Sequence, residues 1–453
     1  MVENLKIGFE IHAQMATRQK LYCDCPTDYA IARPNENTCA VCTGLPGNKP
    51  MPVNEEAVYN AIELALLFNS NILKGSEIRV QRKHYEYPDL PNGYQKTSTP
   101  VARGGEFMGV RIDELHLEDD PGRYDLAKGK VDYNRCGIPL VEIVTHPDMK
   151  SPEQARKLWD ELSDLIQYTG RFRTETGAMR ADTNVSIRNV ERVEVKNVNS
   201  SSGVYYAILY EIKRQEKAWR RKQPIKRETR GFVDDKMITV SLRTKETFAD
   251  YRYIPDPDIP PIVINDGMID AVRARMKPNP FEVTCRYVGL GLTEETAKAI
   301  AFDTTLTGFF EQASTEAPPR EVAKWLAGDV RKHLKQKGVV IAETKLTPDA
   351  LAKIINSVRE KEIPAYEGKD VLRRVIYEGG DVTSYLGKVV VTQDKGALNR
   401  LVIQVIQDNP DTVRDIKAGN EGAINYLMGQ VRKKSKAADP STVLDILREK
   451  LNK

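Results

Sequence analysis

Four cysteines inside residues 23–42 constrain this chain more than any other feature. They stand as Cys23-x-Cys25, then thirteen residues, then Cys39-x-x-Cys42. Two close pairs separated by a loop are what one tetrahedral thiolate site requires: each pair supplies two ligands from a tight turn, and the loop returns the second pair to the first. Unrelated buried thiols or disulfides are the competing readings, and the zinc reading is preferred because buried cysteines have no reason of their own to pair so closely. Four thiolates close the coordination sphere of Zn²⁺, so the metal is expected to hold a fold, and any chemistry must lie beside it.

A chain of 453 residues exceeds one ordinary core, so two or three domains are expected. A hydrophobic share of 40% and a charged share of 29% describe a water-soluble protein. No apolar run is long enough to span a bilayer, and the opening MVENLKIGFEIHAQ lacks the build of a signal peptide. A reducing, cytoplasmic setting therefore fits thiols that are free or metal-bound. The net charge of +4 points to no partner, so charge must be sought locally.

Hydrophobic alternation organises the first part. Ile7, Phe9 and Ile11 oppose Glu10 and His12; Leu115 and Leu117 oppose His116 and Glu118. Val185 and Ile187 oppose Asp182, Asn184 and Ser186, and Val193 and Val195 oppose Glu194 and Lys196. Each stretch reads as a half-buried strand with one polar face. Residues 78–87 predict a further strand running into the loop 88–94. Residues 238–254 predict two more, ending in DYRYIPDPDIPP, whose prolines are expected to stop the sheet. Asn54 and the pair Ser151-Pro152 each start an amphipathic helix. Strands mixed with helices, without a regular βαβ rhythm, indicate an α+β domain on a mainly antiparallel sheet over residues 1–266. Helical patterns follow over 267–407, and a small helical module over 408–453.

If the alternating strands are neighbours, Glu10, Glu118, Asp182 and Glu194 make a basin of carboxylates. Such a basin is unfavourable unless cations neutralise it. Hard oxygen ligands suit Mg²⁺, which in turn suits nucleotide phosphates. On any single strand, a solvated polar face is the ordinary explanation; the recurrence over four strands suggests a site. Arg82 and Lys83 precede the tyrosines Tyr85, Tyr87 and Tyr94, where they can pair phosphate or simply face solvent. Residues 211–230 carry nine Lys or Arg against three Glu and include Trp219, either a polyanion contact or a solvated helix face. Arg432, Lys433, Lys434 and Lys436 repeat the pattern more weakly. There is no G-x-x-x-x-G-K-[ST] loop, and GLGL at 289–292 is not a dinucleotide fingerprint. Cys136 and Cys285 lack the signature of a nucleophile and read as core residues. Ser200-Ser201-Ser202-Gly203 has the composition of an amidase loop without its glycine-rich context or a lysine partner.

Several motifs together are similar to one family. IGFEIHAQ, YPDLPNGYQ, HLEDDPGR, YNRCGIPLVEIVTHPDM, MRADTNVS, VEVKNVNSSSGV, YEIKRQ and DYRYIPDPDIPP occur in order. They resemble the B-subunit family of the glutamine-dependent aspartyl/glutamyl-tRNA amidotransferases (GatB), over the whole chain. The related archaeal E subunit carries an inserted domain for which this chain has no room, since about a dozen residues separate DIPPIVI from KPNPFEV.

The resemblance implies a glutamine-synthetase-like cradle, then a helical domain and a helical tail that grips tRNA. It implies ATP-dependent phosphorylation of the side-chain carboxylate of misacylated Glu-tRNA(Gln) or Asp-tRNA(Asn), followed by amidation. Ammonia would come from an amidase-fold A subunit, the glutaminase, steadied by a small C subunit. Glu10, Glu118, Asp182 and Glu194 are then ligands of Mg²⁺ or ATP, with Asp119 and Glu211 as weaker candidates. His12 would act through water or carry a proton, Lys83 and Lys196 would neutralise phosphate, and Tyr87 would hold the tRNA 3′ end. Cys23, Cys25, Cys39 and Cys42 stand where the family often binds Zn²⁺. Two other readings are a non-catalytic, zinc-stabilised RNA-binding module and a stand-alone ATP-dependent ligase of a small carboxylate.

Overall fold

The computed structural model of the chain describes residues 3–85, 87–125, 127–244, 252–386, 395–417, 421–435 and 440–451. It divides into two compact units, Met1–Asn279 and Pro280–Lys453. The first unit begins with β1 (Lys6–Gln14), α1 (Glu55–Leu67), β2 (Val80–His84), β3 (Tyr94–Ser98), β4 (Val110–Asp119) and β5 (Pro139–Thr145). It continues with α2 (Pro152–Thr169), β6 (Met179–Ser186), β7 (Val193–Val198) and α3 (Ser201–Arg220). β8 (Glu228–Val233), β9 (Ile238–Thr244), β10 (Ile254–Pro255) and α4 (Asp266–Arg275) complete it.

Ten of these strands belong to one sheet of 13, in the order β9-β8-β7-β6-β1-β5-β4-β3-β2-β10. Every pair along that path is antiparallel except β7 with β8. The strand alternation read from the sequence sets the two faces. Ile7, Phe9, Ile11, Val141, Ile143, Leu115, Leu117, Val185, Val193 and Val195 are buried on one side. Glu10, His12, Glu142, Asp182, Asn184 and Lys196 remain partly open on the other. β1 lies in the middle of the path, so Glu10 is flanked by Asp182 of one neighbour and His12 by Glu142 of the other.

The helices start where short polar side chains can cap them. Asn54, Ser151 and Ser200 each accept a hydrogen bond from a first-turn amide, at 3.0, 3.1 and 3.0 Å. Ser200 is therefore the N-cap of α3, and Ser201 accepts from Arg156 Nε at 3.1 Å. The serine run is a helix start. α2 ends at Gly170, which adopts φ 70°, a left-handed conformation that glycine reaches without steric cost.

One strand expectation needs correction. The segment that was to end the sheet contributes β10, whose Ile254 and Pro255 pair with Arg82 and Gln81 of β2. Proline is tolerated because β10 forms the end of the path and its missing N–H faces no partner strand. Residues 245–251 of that segment lie outside the described residues.

The second unit is helical. Thr293, Asp303 and Thr347 cap helices there. One buried cluster gathers Tyr287, Phe310, Trp325, Leu326, Leu351 and Leu372; another gathers Val402, Val405, Leu427, Val431, Val443 and Leu447. Val402 and Val405 come from the helix Lys395–Asp408, so residue 408 is the last of a helix that packs with the chain after it.

Candidate active site and thiolate cluster

Facing residues of an antiparallel pair project from the same side of a sheet. Glu10 faces Asp182 on β6, and His12 faces Glu142 on β5 and Arg180 on β6. Glu142 in turn faces His116 on β4, two residues before Glu118, and Asn184 faces Glu194 on β7. Five strands thus deliver acids to one face, four of them as the alternation predicts and β5 through Glu142.

The acids form two adjacent groups. Glu10, Asp182 and Glu194 can place one oxygen each within 4.8 Å of the others, and so can His12, Glu118 and Glu142 with one ligand atom each. Asn184 Nδ2 donates to Glu10 Oε1 at 3.1 Å, and Thr229 Oγ1 to Glu194 Oε2 at 3.2 Å. Lys196 Nζ pairs with Asp182 and, at 2.9 Å, with Glu194. In the second group His12 Nε2 stands 3.5 Å from Glu118 and 3.6 Å from Glu142. Gln95 Nε2 donates to Glu118 Oε2 at 3.1 Å, and Lys83 Nζ lies 3.9 Å from Glu118 Oε1.

Charge sets the titration of these groups. Burial works against an ionised Glu118, but Lys83 and His12 outweigh it and hold the carboxyl well below its ordinary range. Glu142 is raised, by burial first and then by the neighbouring Glu118 charge. Burial would lower His12, yet Glu118 and Glu142 raise it above an ordinary imidazole. Burial opposes the Lys196 ammonium too, and Asp182 with Glu194 overcomes it and raises that group.

Both triads fit divalent cations. Glu118 Oε1, His12 Nδ1 and Asn184 Oδ1 are buried without a hydrogen-bond partner. Glu10, Asp182 and Glu194 make an all-oxygen set of the kind that holds Mg²⁺, whereas the second triad includes an imidazole, a less purely hard donor.

The run Glu118-Asp119-Asp120 separates because successive side chains alternate sides. Glu118 joins the triad. Asp119 turns the other way, accepting from Lys96 N at 2.8 Å and pairing with Lys96 Nζ at 3.4 Å. Asp120 accepts from Arg180 Nη2 at 2.7 Å and from Gln14, with Arg135 Nε 3.5 Å away. Asp119 therefore does not join the acid groups. Neither does Glu211, a residue of α3 fully buried beneath the apolar side. It pairs with Arg214 at 2.8 Å and Arg230 at 3.1 Å, and accepts from Thr239. Tyr87 is half exposed, its ring centroid 5.8 Å from that of Tyr85, and it lines a cavity of about 450 Å³ with Pro88, Leu90, Pro91 and Gly93.

The basic run 211–230 is split in the same way. Arg214 and Arg230 are consumed by Glu211 and Glu228. Trp219 stays half exposed, with the Arg188 guanidinium 4.3 Å from its ring centroid. In the tail, Lys434 pairs with Asp408 at 2.6 Å, while Lys436 and the Arg432 side chain lie outside what is described.

Cys23, Cys25, Cys39 and Cys42 converge, their sulfurs all within 4.8 Å of one another. Cys25 and Cys42 are 4.0 Å apart, and Cys39 and Cys42 3.9 Å. A tetrahedron with Zn–S near 2.3 Å has edges of about 3.8 Å, whereas a disulfide bond is about 2.05 Å. The donor set fits Zn²⁺. The Cys42 thiol is drawn down to about 4 by its hydrogen bond with Cys23, then by Lys20 against the cost of burial.

Two family models match the chain: the GatB/GatE catalytic domain over residues 5–270 and the GatB domain over residues 308–451. This chain belongs to the GatB family. A relative from Methanopyrus kandleri is 43% identical over 457 residues, spanning 99% of each chain. One from Methanococcus maripaludis is 42% identical over 465 residues, again 99% of each. One from Methanothermobacter thermautotrophicus is 41% identical, over 99% of this chain and 100% of its own. All three are named as the B subunit of an aspartyl/glutamyl-tRNA(Asn/Gln) amidotransferase.

The GatB resemblance and the alternation pattern both pass over Glu142. It sits in PLVEIVT, where a single acid among apolar residues gives no visible polar face. The signal available was a lone carboxylate inside the hydrophobic run Leu140–Val144, where a charge is rarely placed without a partner. Arg180 and Gln95 were missed because their roles depend on partners 60 and 23 residues away.

Proposed function

We propose that this GatB-family chain activates and amidates the side-chain carboxylate of Glu-tRNA(Gln) or Asp-tRNA(Asn), using ATP and ammonia. The observation that carries this reading is the pair of acid triads on one sheet face with Lys83, Lys196 and Arg180 among them. The names of the relatives support the substrate class.

A carboxylate is a poor electrophile, and two anions repel each other. Glu10, Asp182 and Glu194 would hold one Mg²⁺, and Glu118 and Glu142 a second cation, with His12 beside it. Bound there, the cations would neutralise the phosphates of ATP and the developing charge. A substrate carboxylate oxygen attacks the γ-phosphorus, the bond to the β-phosphate oxygen breaks, and ADP leaves. Ammonia nitrogen then attacks the acyl carbon, the bond to the phosphate oxygen breaks, and a proton is lost as the amide forms. Lys83 and Lys196, placed at the rim of the triads, attract phosphate oxygens once the acids are shared with cations. His12, between Glu118 and Glu142, holds or passes a proton. Tyr87 and its loop would receive the RNA 3′ end, and residues 408–453 would contact the RNA body. The first unit would adopt the glutamine-synthetase-like cradle.

The printed name of the relatives, a B subunit, supports an assembly of several subunits, in which an amidase-fold A subunit, steadied by a small C subunit, would supply the ammonia. No described helix is long and apolar enough to cross a membrane.

The test is ATP hydrolysis by the complex. Phosphate release is expected to require Glu-tRNA(Gln) or Asp-tRNA(Asn), and release with free glutamate alone overturns the substrate reading. Glu10→Ala is expected to abolish amidation and spare glutamine hydrolysis; amidation that survives refutes the site. The non-catalytic RNA-binding reading is disfavoured by the convergence of the acids.

A further inference from the structure

Lys20 lies between β1 and the first cysteine pair, and only 1% of it is exposed. An ammonium has three N–H donors. Those of Lys20 are directed at the Asn37 carbonyl oxygen (2.8 Å), the Tyr133 carbonyl oxygen (3.3 Å) and Cys42 Sγ (3.5 Å). Two of these acceptors are neutral. Among the described residues no carboxylate forms an ion pair with Lys20, so the sulfur is the one contact able to carry negative charge. A buried ammonium against neutral acceptors alone is strongly unfavourable.

We infer that Lys20 is the built-in counter-charge of a zinc–tetrathiolate at Cys23, Cys25, Cys39 and Cys42, and that metal binding is what makes its burial favourable. The inference goes beyond the zinc reading and rests on it. Four thiolates and Zn²⁺ carry a net charge of −2, which a neighbouring ammonium halves. Donation to Cys42 also draws electron density from that sulfur and so protects the metal–sulfur bond from protonation.

The same side chain ties three segments together. Asn37 belongs to the loop between the cysteine pairs. Tyr133 follows the short strand Lys130–Asp132, and the two regions are further joined by Asn37 N to Asn134 Oδ1 at 2.7 Å and Asn134 Nδ2 to Arg33 O at 2.7 Å. Gly137 packs on the stem in a left-handed conformation, φ 87°, that favours glycine; a Cβ there would meet Lys20 Cδ and Cys42 Cβ at ordinary contact distances of 3.4 and 3.6 Å. Metal capture and docking of this loop are therefore one event.

The experiment compares the full-length wild-type chain with Lys20→Met and Lys20→Arg, measuring zinc content and zinc affinity by competition with a colorimetric chelator. Lys20→Met is expected to weaken zinc binding tenfold or more, and Lys20→Arg to recover part of it. Thermal midpoints are then measured for Lys20→Met in the wild-type and Cys39→Ser/Cys42→Ser backgrounds. The substitution should destabilise the first and be neutral or stabilising in the second, where the ammonium has lost its counter-charge. Equal zinc affinity in Lys20→Met overturns the proposal, as does equal destabilisation in both backgrounds, which would reduce Lys20 to a hydrogen-bonding strut. If Lys20→Met does not fold, Lys20→Arg binding zinc no better than a Lys20→Gln chain overturns it too. A wild-type chain that takes up no zinc sinks the metal reading itself, and the proposal with it.

Discussion

Glu118, Asp119 and Asp120 are three successive carboxylates with three different partners, because a strand turns alternate side chains to opposite faces and Asp120 continues the alternation past its end. Glu118 meets His12 and Lys83, Asp119 meets Lys96, and Asp120 meets Arg180. Composition alone makes the three equivalent. Glu118→Gln and Glu142→Gln are each expected to cut amidation roughly 100-fold or more, the scale of removing one electrostatic contact at a reacting centre. Glutamine hydrolysis should be unchanged, and Asp119→Asn should change the rate constant little. A steady-state assay with ammonium chloride in place of glutamine reads this directly; equal losses at Glu118 and Asp119 would contradict the assignment. Asp120 makes a pH prediction. Burial opposes its charge, but Arg180 and Arg135 hold its carboxyl below the ordinary value. Its contribution to stability is full above the unfolded value, about 3.9, and is lost as the pH falls through the lower folded one. The stability difference between wild type and Asp120→Asn, measured by urea titration, should thus shrink on acidification below about pH 4 and stay level above it.

At the scale of elements, the sheet depends on α3 for more than apolar cover. α3 buries Val204, Ala207 and Ile208 together with Glu211, whose carboxylate joins α3 to β8 and β9 through Arg230 and Thr239. Glu211→Ala leaves two arginines short of a partner under the sheet and is expected to cost about 3 kcal/mol of stability. Arg214 and Arg230 retain Glu228, which keeps the effect from being larger. Calorimetry would show a lower midpoint while amidation per folded molecule stays near wild type; intact stability with lost activity would return Glu211 to the metal site. Helix ends were legible in advance for a simple reason. A cap is a contact within three residues, so Ser151 and Asn54 announce it in sequence, and Gly170 announces the stop. The β10 pairing was not legible, since it joins residues more than 170 apart and the local prolines argue against it.

For the whole molecule, the thiolate cluster and the acid triads have separable roles. The cysteine loop holds residues 33–37 against residues 131–134 and packs Gly44 against Asn92, where any Cβ would strike the Asn92 side chain. It thereby supports the loop that carries Pro88, Leu90 and Gly93. Cys39→Ser/Cys42→Ser, or prolonged chelation, is expected to remove zinc and lower the thermal midpoint by several degrees or more. ATP turnover at a permissive temperature should persist with a raised KM for aminoacyl-tRNA. A loss of ATP chemistry at full stability would instead place the metal in the reaction.

Sequence by itself determined what depends on near neighbours: the paired cysteines, the strand faces, the helix caps, and the acids at Glu10, Glu118, Asp182 and Glu194. Period-two alternation is a property of the local backbone and survives in any fold that keeps those strands. Only the tertiary structure decided which strands lie side by side. That register grouped the acids into two triads, brought in Glu142 and Arg180, removed Asp119 and Glu211, and set Lys20 against the sulfur of Cys42. Each of those outcomes turns on charges meeting across long stretches of chain, where burial makes a partner's identity matter and local pattern carries no trace of it.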